Sequence, residues 1–204
     1  DDLVGMKPKS KVLCQVVASL SIILITDLRI ESLYGLLGIF ELSYTFSIML
    51  TVFFFILLIN AYNLIDGVDG LAGSYAIVVT LFFGLFYFAN GNKSMFFLSI
   101  SIVGALISFL IFNFSKKEKI FMGDTGSLFL GLIVSILAIS FIEMHNELTS
   151  NHPFAINAAP AVAIGIIILP LFDTMRVFTV RAMKGRSPMS PDRNHLHHLL
   201  IDYG

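Results

Sequence analysis

Long runs without a single charge constrain this chain before anything else. Residues 46–59 and 71–89 contain no Asp, Glu, Lys or Arg. Both read as helices that cross a lipid bilayer. The rest of the chain agrees: 56% of residues are hydrophobic, 13% are charged, and mean hydropathy is +0.87. Soluble domains carry about twice that charged fraction. The expected fold class is therefore all-α, a polytopic membrane protein of about six transmembrane helices. Residues 1–204 are read as one transmembrane domain, and the opening Asp1-Asp2, without a methionine, as a piece of a longer protein. The lone cysteine, Cys14, lies in an apolar run. It excludes an internal disulfide and is expected to be a buried, inert thiol.

The expected spans are 12–28, 46–62, 71–89, 95–114, 126–142 and about 157–180. Residues 29–45 read as an interfacial loop, Asn90-Gly91-Asn92 as a tight turn, and Pro170 as a kink in the last span. Six spans put the flanking segments alternately on two sides. One side collects Lys7, Lys9, Lys11, Lys116, Lys117, Lys119, Arg181, Lys184, Arg186 and Arg193, and the other only Arg29 and Lys93. That asymmetry makes the first side cytoplasmic. His145 and His152 fall on the other side, as isolated loop residues.

The polar clusters all fall on that same side. Asn60-Ala61-Tyr62-Asn63-Leu64-Ile65-Asp66-Gly67-Val68-Asp69-Gly70-Leu71-Ala72-Gly73 sets two carboxylates and two carboxamides between two spans. An ordinary polar loop has no need of that spacing, and ionisable groups at helix ends in a membrane are functional candidates. Gly67, Gly70 and Gly73 would clear space for a neighbour or a ligand. In Phe121-Met122-Gly123-Asp124-Thr125-Gly126-Ser127, Asp124 could be a plain helix cap. The flanking glycines beside a basic loop suit phosphate and metal better. Asn113 could hydrogen-bond a ligand, and Phe121 could stack on a nucleobase, although a lone Phe more often packs in the membrane. Arg193, His195, His197 and His198 could bind zinc, phosphate, or only water as a solvated tail. The chain lacks the cysteines of a closed zinc site, so phosphate leads.

Asp1, Asp2, Asp66, Asp69 and Asp124 in one cleft would repel one another, and a hard divalent cation removes that cost. An oxygen-only donor set suits magnesium, which usually also meets substrate phosphates. Basic residues and histidines would meet the remaining phosphate charge. Together these point to phosphoryl transfer between a soluble donor and a lipid acceptor. A transporter or channel is the rival from another class, but its ionisable groups belong near the bilayer midplane. A metal-binding scaffold without activity is the third reading.

The four clusters, in order, resemble the cytoplasmic motifs of the polyprenyl-phosphate N-acetylhexosamine-1-phosphate transferases. Asp192-Arg193-Asn194-His195-Leu196-His197-His198 is similar to the N-acetylglucosamine branch. The phospho-N-acetylmuramoyl-pentapeptide branch, the alternative, tends to have three adjacent histidines, which Leu196 interrupts here. Ser115-Lys116-Lys117-Glu118 departs from the family's usual Pro-Ala at that point. The resemblance implies about ten or eleven helices, so that N- and C-terminal helices are missing from this piece. It implies transfer of N-acetylglucosamine 1-phosphate from UDP-N-acetylglucosamine to undecaprenyl phosphate, in cell-wall, lipopolysaccharide or other polysaccharide biosynthesis. The implied place is the bacterial inner membrane, as a multi-pass protein whose active site faces the cytoplasm. The implied partners are a UDP-N-acetylhexosamine, a polyprenyl phosphate lipid and the membrane, with no nucleic acid and with a homodimer left open. The implied cofactor is Mg2+, with Mn2+ as a substitute. Asp124 would be the metal ligand on the donor diphosphate. Asp66 and Asp69, with Asn63, would bind nucleotide or help hold metal, and Asp1 or Asp2 would orient or deprotonate the lipid phosphate. Arg193, His195, His197 and His198 would bind phosphate.

Overall fold

A computed structural model describes residues 8–35, 38–148, 153, 156 and 158–183. Among these the only extended pairing is an isolated bridge between Ser32 and Glu41, and everything else of regular structure is helical. The helices are α1 (Pro8–Thr26), α2 (Tyr44–Ile65), α3 (Leu71–Ala89), α4 (Lys93–Asn113), α5 (Gly123–Glu147), α6 (Ala159–Ile166) and α7 (Ile168–Met183). Five are long and apolar enough to cross a membrane, and α6 with α7 would make a sixth span. The protein is a multi-pass membrane protein.

Helix ends follow local chemistry. Pro8 starts α1 where the missing N–H is harmless, which draws Lys9 and Lys11 into the helix, four residues before the expected start. Asp27, at φ 53°, ends it in the left-handed region that Asp tolerates. Between α3 and α4 the expected turn is present: Gly91 has φ 76°, and the Asn92 side chain accepts from Met95 N at 3.2 Å to cap α4. The last span breaks by 76° at Ile167, three residues before Pro170. Pro170 brings no N–H for the carbonyl four residues back, at Ile166, and its ring crowds that oxygen. The break therefore appears upstream of the proline.

The core forms where α2, α3, α5 and the α6–α7 pair meet, around Leu58, Tyr62, Phe83, Val134, Leu137 and Phe141. Close approach of α2 and α5 depends on Gly131, where a Cβ would lie 2.6 Å from Ile59 Cα. Small residues at such crossings are what lets membrane helices pack. Buried hydroxyls find carbonyls across helices, as when Tyr87 donates to Leu137 O at 2.5 Å.

Two expectations need correction. Cys14 is exposed, because α1 turns Gln15, Ser19 and Ile23 toward the bundle and leaves Cys14 off that stripe. His145 is no loop residue. It sits buried in the last turn of α5, stacked on Phe86 at 4.8 Å with Nδ1 bonded to Phe141 O at 2.7 Å. Its helix runs further than the apolar run that suggested a loop. His152 lies outside the described residues.

Candidate active site

One end of the bundle gathers the start of α1, the end of α2, the start of α3, the end of α4 and the start of α5. The junction of α2 and α3 carries the Asp66–Gly70 loop. Asp66 closes α2, and Gly70 opens α3 at φ 73°. A side chain at Gly70 would be strained there, and its Cβ would lie 2.1 Å from Phe114 Cζ. A Cβ at Gly73 would meet Leu110 Cδ2 at 3.0 Å. The room that Gly70 and Gly73 leave is therefore filled by Phe114, just past the end of α4, and by Leu110 within it, and the loop is pressed against that end of α4.

Asp124 is the hub. It lies in the first turn of α5, which begins at Gly123, before the expected start of that span. No side chain caps this helix at its N-cap residue, Met122, so the simple cap role is not what Asp124 performs. Its two oxygens reach across helices instead. Asn63 Nδ2 donates to Asp124 Oδ1 at 2.8 Å and to Ser127 Oγ at 2.9 Å, and Lys11 Nζ donates to Asp124 Oδ2. Ser127 in turn donates to Gly123 O at 3.0 Å. Three helices are thus tied at one carboxylate. One turn deeper, Gln15 and Asn60 exchange a reciprocal amide pair, with Asn60 Nδ2 2.9 Å from Gln15 Oε1 and Gln15 Nε2 3.3 Å from Asn60 Oδ1. This pair sets α1 in register with α2, so that Lys11, one turn toward the surface from Gln15, meets the Asp124 that Asn63 holds.

Asp69 is exposed and ion-paired with Lys119. Asp66 is half-buried and carries no hydrogen bond or ion pair among the described residues. Burial, then the negative charges of Asp124 and Asp69, push its carboxyl up to about 6. In the loop after α4, the buried Asn113 donates to Ile120 O at 2.8 Å, and its Oδ1 is buried without a partner. Phe121 is 72% exposed, with Lys119 Nζ 5.1 Å from its ring centre.

The bundle thus brings together Asn63, Asp66, Asp69, Asn113, Phe121 and Asp124. Asp1, Asp2, Arg193, His195, His197 and His198 lie outside the described residues. Sequence reasoning missed Lys11, Ser127, Lys119 and the Gln15–Asn60 pair as parts of the site. A signal existed for the pair: both are amides set among apolar residues of a span, where an amide needs a partner on another helix. Among the described residues no group of three or more His, Cys, Asp or Glu is arranged to hold a metal ion. Asp66 and Asp124 nevertheless offer oxygen donors whose mutual repulsion is not fully relieved. Two carboxylates completed by substrate phosphate and water is an ordinary arrangement for magnesium.

Comparison with known proteins adds an independent finding. Residues 1–142 match the family model described as glycosyl transferase family 4. The chain is 30% identical over its whole length to the undecaprenyl-phosphate alpha-N-acetylglucosaminyl 1-phosphate transferase of Escherichia coli K12, covering 54% of that protein. It is 32% identical to the Salmonella typhi protein of the same name, again over 100% of this chain and 54% of the relative. It is 31% identical to the decaprenyl-phosphate N-acetylglucosaminephosphotransferase of Mycolicibacterium smegmatis, covering 53% of it. The chain spans about half the length of these relatives.

Proposed function

The chain belongs to glycosyl transferase family 4, and on that premise we propose that the complete protein transfers N-acetylglucosamine 1-phosphate from UDP-N-acetylglucosamine to undecaprenyl phosphate. An oxygen of the lipid phosphate attacks the β-phosphorus of the donor. The bond from that phosphorus to the bridging oxygen breaks, UMP leaves, and undecaprenyl-diphospho-N-acetylglucosamine remains. A phosphate monoester's second pKa near 6 leaves the acceptor largely dianionic at neutral pH, so it is a competent nucleophile without a covalent intermediate. The work would proceed at the cytoplasmic face of a bacterial inner membrane, where the polar end of the bundle and the excess of Lys and Arg coincide.

The observation that carries this reading is the Asp124 hub, tied to α1 and α2 beside the half-buried Asp66. Asp124 and Asp66 would hold magnesium, for which manganese could substitute. When bound, the metal neutralises charge on the donor diphosphate. Lys11, which bonds Asp124, would bring its positive charge to the same phosphates. Asn63 fixes the orientation of Asp124. Asn113, through its unpartnered Oδ1, and the exposed Phe121 would take the uracil, by hydrogen bond and by stacking. Asp69 is held by Lys119, so it shapes the loop that carries Asp66. Asp1 or Asp2 would orient or deprotonate the lipid phosphate, and Arg193, His195, His197 and His198 would bind phosphate.

The test is UMP release by the complete protein from a panel of UDP-sugars, with undecaprenyl phosphate as acceptor. UDP-N-acetylglucosamine should release UMP fastest, and only with the lipid present. Preference for the UDP-muramoyl-pentapeptide would move the protein to the other branch, and no lipid-dependent release from any donor would end the proposal.

A further inference from the structure

The broken span leaves a backbone debt inside the membrane, and a side chain from another helix settles it. In an unbroken helix the Ile166 carbonyl would accept from the N–H of residue 170, but residue 170 is proline. Lipid offers no water to replace that bond, so a broken helix persists only where neighbours supply partners. Here the Tyr75 hydroxyl donates to Ile166 O at 2.6 Å, and Leu169 N points at the same hydroxyl from a longer 3.4 Å. Ile167 N still bonds Ala163 O at 3.1 Å, so α6 ends cleanly and the vacated position is the one Tyr75 fills.

Tyr75 is well placed for more than local repair. It lies on α3 five residues beyond Gly70, in the helix that starts directly from the Asp66–Gly70 loop. Beyond the break, α7 packs against α2 with Asp173, Thr174 and Val177 buried. The last turn of α2 holds Asn63, which orients Asp124. A change in the bend would move α7 against the helix that carries half the site.

We propose that Tyr75 is a positioning residue: its hydroxyl, bonded to the Ile166 carbonyl that Pro170 leaves open, fixes the bend between α6 and α7 and so holds α7 against α2, the helix that carries Asn63. The turnover arm of the test rests on the proposed transferase activity, while the geometric arm does not.

The experiment uses Tyr75→Phe in the complete protein, which keeps the ring and removes only the hydroxyl. Spin labels go on Val78→Cys in α3 and Met175→Cys in α7, both exposed positions, in a cysteine-free background. The unsubstituted protein should give one narrow distance distribution. Tyr75→Phe should broaden or shift it and lower kcat about three- to tenfold, the scale of one neutral hydrogen bond, with KM for the UDP-sugar within about twofold. Pro170→Ala restores an N–H to residue 170, so adding Tyr75→Phe to that background should cost little more. An unchanged distance distribution in Tyr75→Phe, or an equal loss with and without Pro170→Ala, would overturn the latch. A shifted distance in a protein that releases no UMP at all would leave the latch standing and remove the transferase reading instead.

Discussion

Asp66 and Asp124 are both carboxylates at the same end of the bundle, yet their surroundings oppose each other. Asp124 receives an ammonium and an amide, while Asp66 receives two like charges and partial burial. The sign of the consequence follows. A carboxyl raised to about 6 from 3.8 binds its proton more tightly in the folded state. Its contribution to stability is therefore present at low pH and is lost as pH rises through about 6. Asp66→Asn should melt at a higher temperature than the unsubstituted protein at pH 7.5 without magnesium, and the gain should vanish below about pH 4. Magnesium should raise the melting temperature of the unsubstituted protein more than that of Asp66→Asn. Thermal scans in detergent, across pH and with and without the metal, decide both points, and an Asp66→Asn protein that is less stable at pH 7.5 would contradict the repulsion. Asp124→Asn keeps the shape and removes the charge. Its turnover should fall at least about a hundredfold, on the scale of losing a charge-stabilising group, as measured by UMP release at ordinary magnesium.

Helix contacts set how finely those side chains are held. The distance from Asn63 to Asp124 is fixed by how closely α2 and α5 approach, and Gly131 permits that approach: a Cβ there would lie 2.6 Å from Ile59 Cα and 2.9 Å from Leu58 O. The atoms a Cβ would strike are backbone, which cannot swing aside. Gly131→Ala should cost about 1–3 kcal/mol, in the range of overpacked cores. Because it prises apart the two helices that share Asp124, turnover should drop along with the melting temperature. Gln15→Leu removes the amide partner of Asn60, and a membrane hydrogen bond of this kind is worth about 0.6 kcal/mol, up to roughly 2. Its expected mark is a small stability loss with a larger loss of activity, since α1 carries Lys11. Equal melting and equal turnover in both variants would show that helix register does not govern the site.

At the level of the whole molecule, the polar end is a property of alternation. Each crossing returns the chain to the other side, so the start of the first long helix meets the motifs that follow the second and fourth only if no span is miscounted. The ion pair of Lys119 with Asp69 and the bonds of Lys11 and Asn63 to Asp124 put those ends together. Which side of the membrane they face is a separate question, carried by the distribution of Lys and Arg. A cysteine placed at Ser94 should react with an impermeant thiol reagent from outside intact cells, and one at Ser115 should react only after permeabilisation. Labelling of Ser115 alone from outside would invert the assignment and remove the cytoplasmic nucleotide from reach.

The sequence determined the helical spans and the shared end of the two motifs that lie among the described residues, because a bilayer leaves an uncharged apolar run little choice but to cross as a helix. It also marked Asn63, Asp66, Asp69 and Asp124, since carboxylates at membrane helix ends are too costly to be incidental. It did not place Lys11 on Asp124, pair Gln15 with Asn60 or turn Cys14 outward, because those depend on how α1 is rotated and how deep it sits against α2, and the polar stripe of Lys11, Gln15 and Ser19 marks a face of α1 without naming its partner. It predicted a kink from Pro170 but not its site at Ile167, nor that Tyr75, more than ninety residues earlier in the chain, would take the freed carbonyl. Local chemistry writes the elements into the chain, whereas a hydrogen bond between distant helices exists only once packing has chosen their rotation and depth.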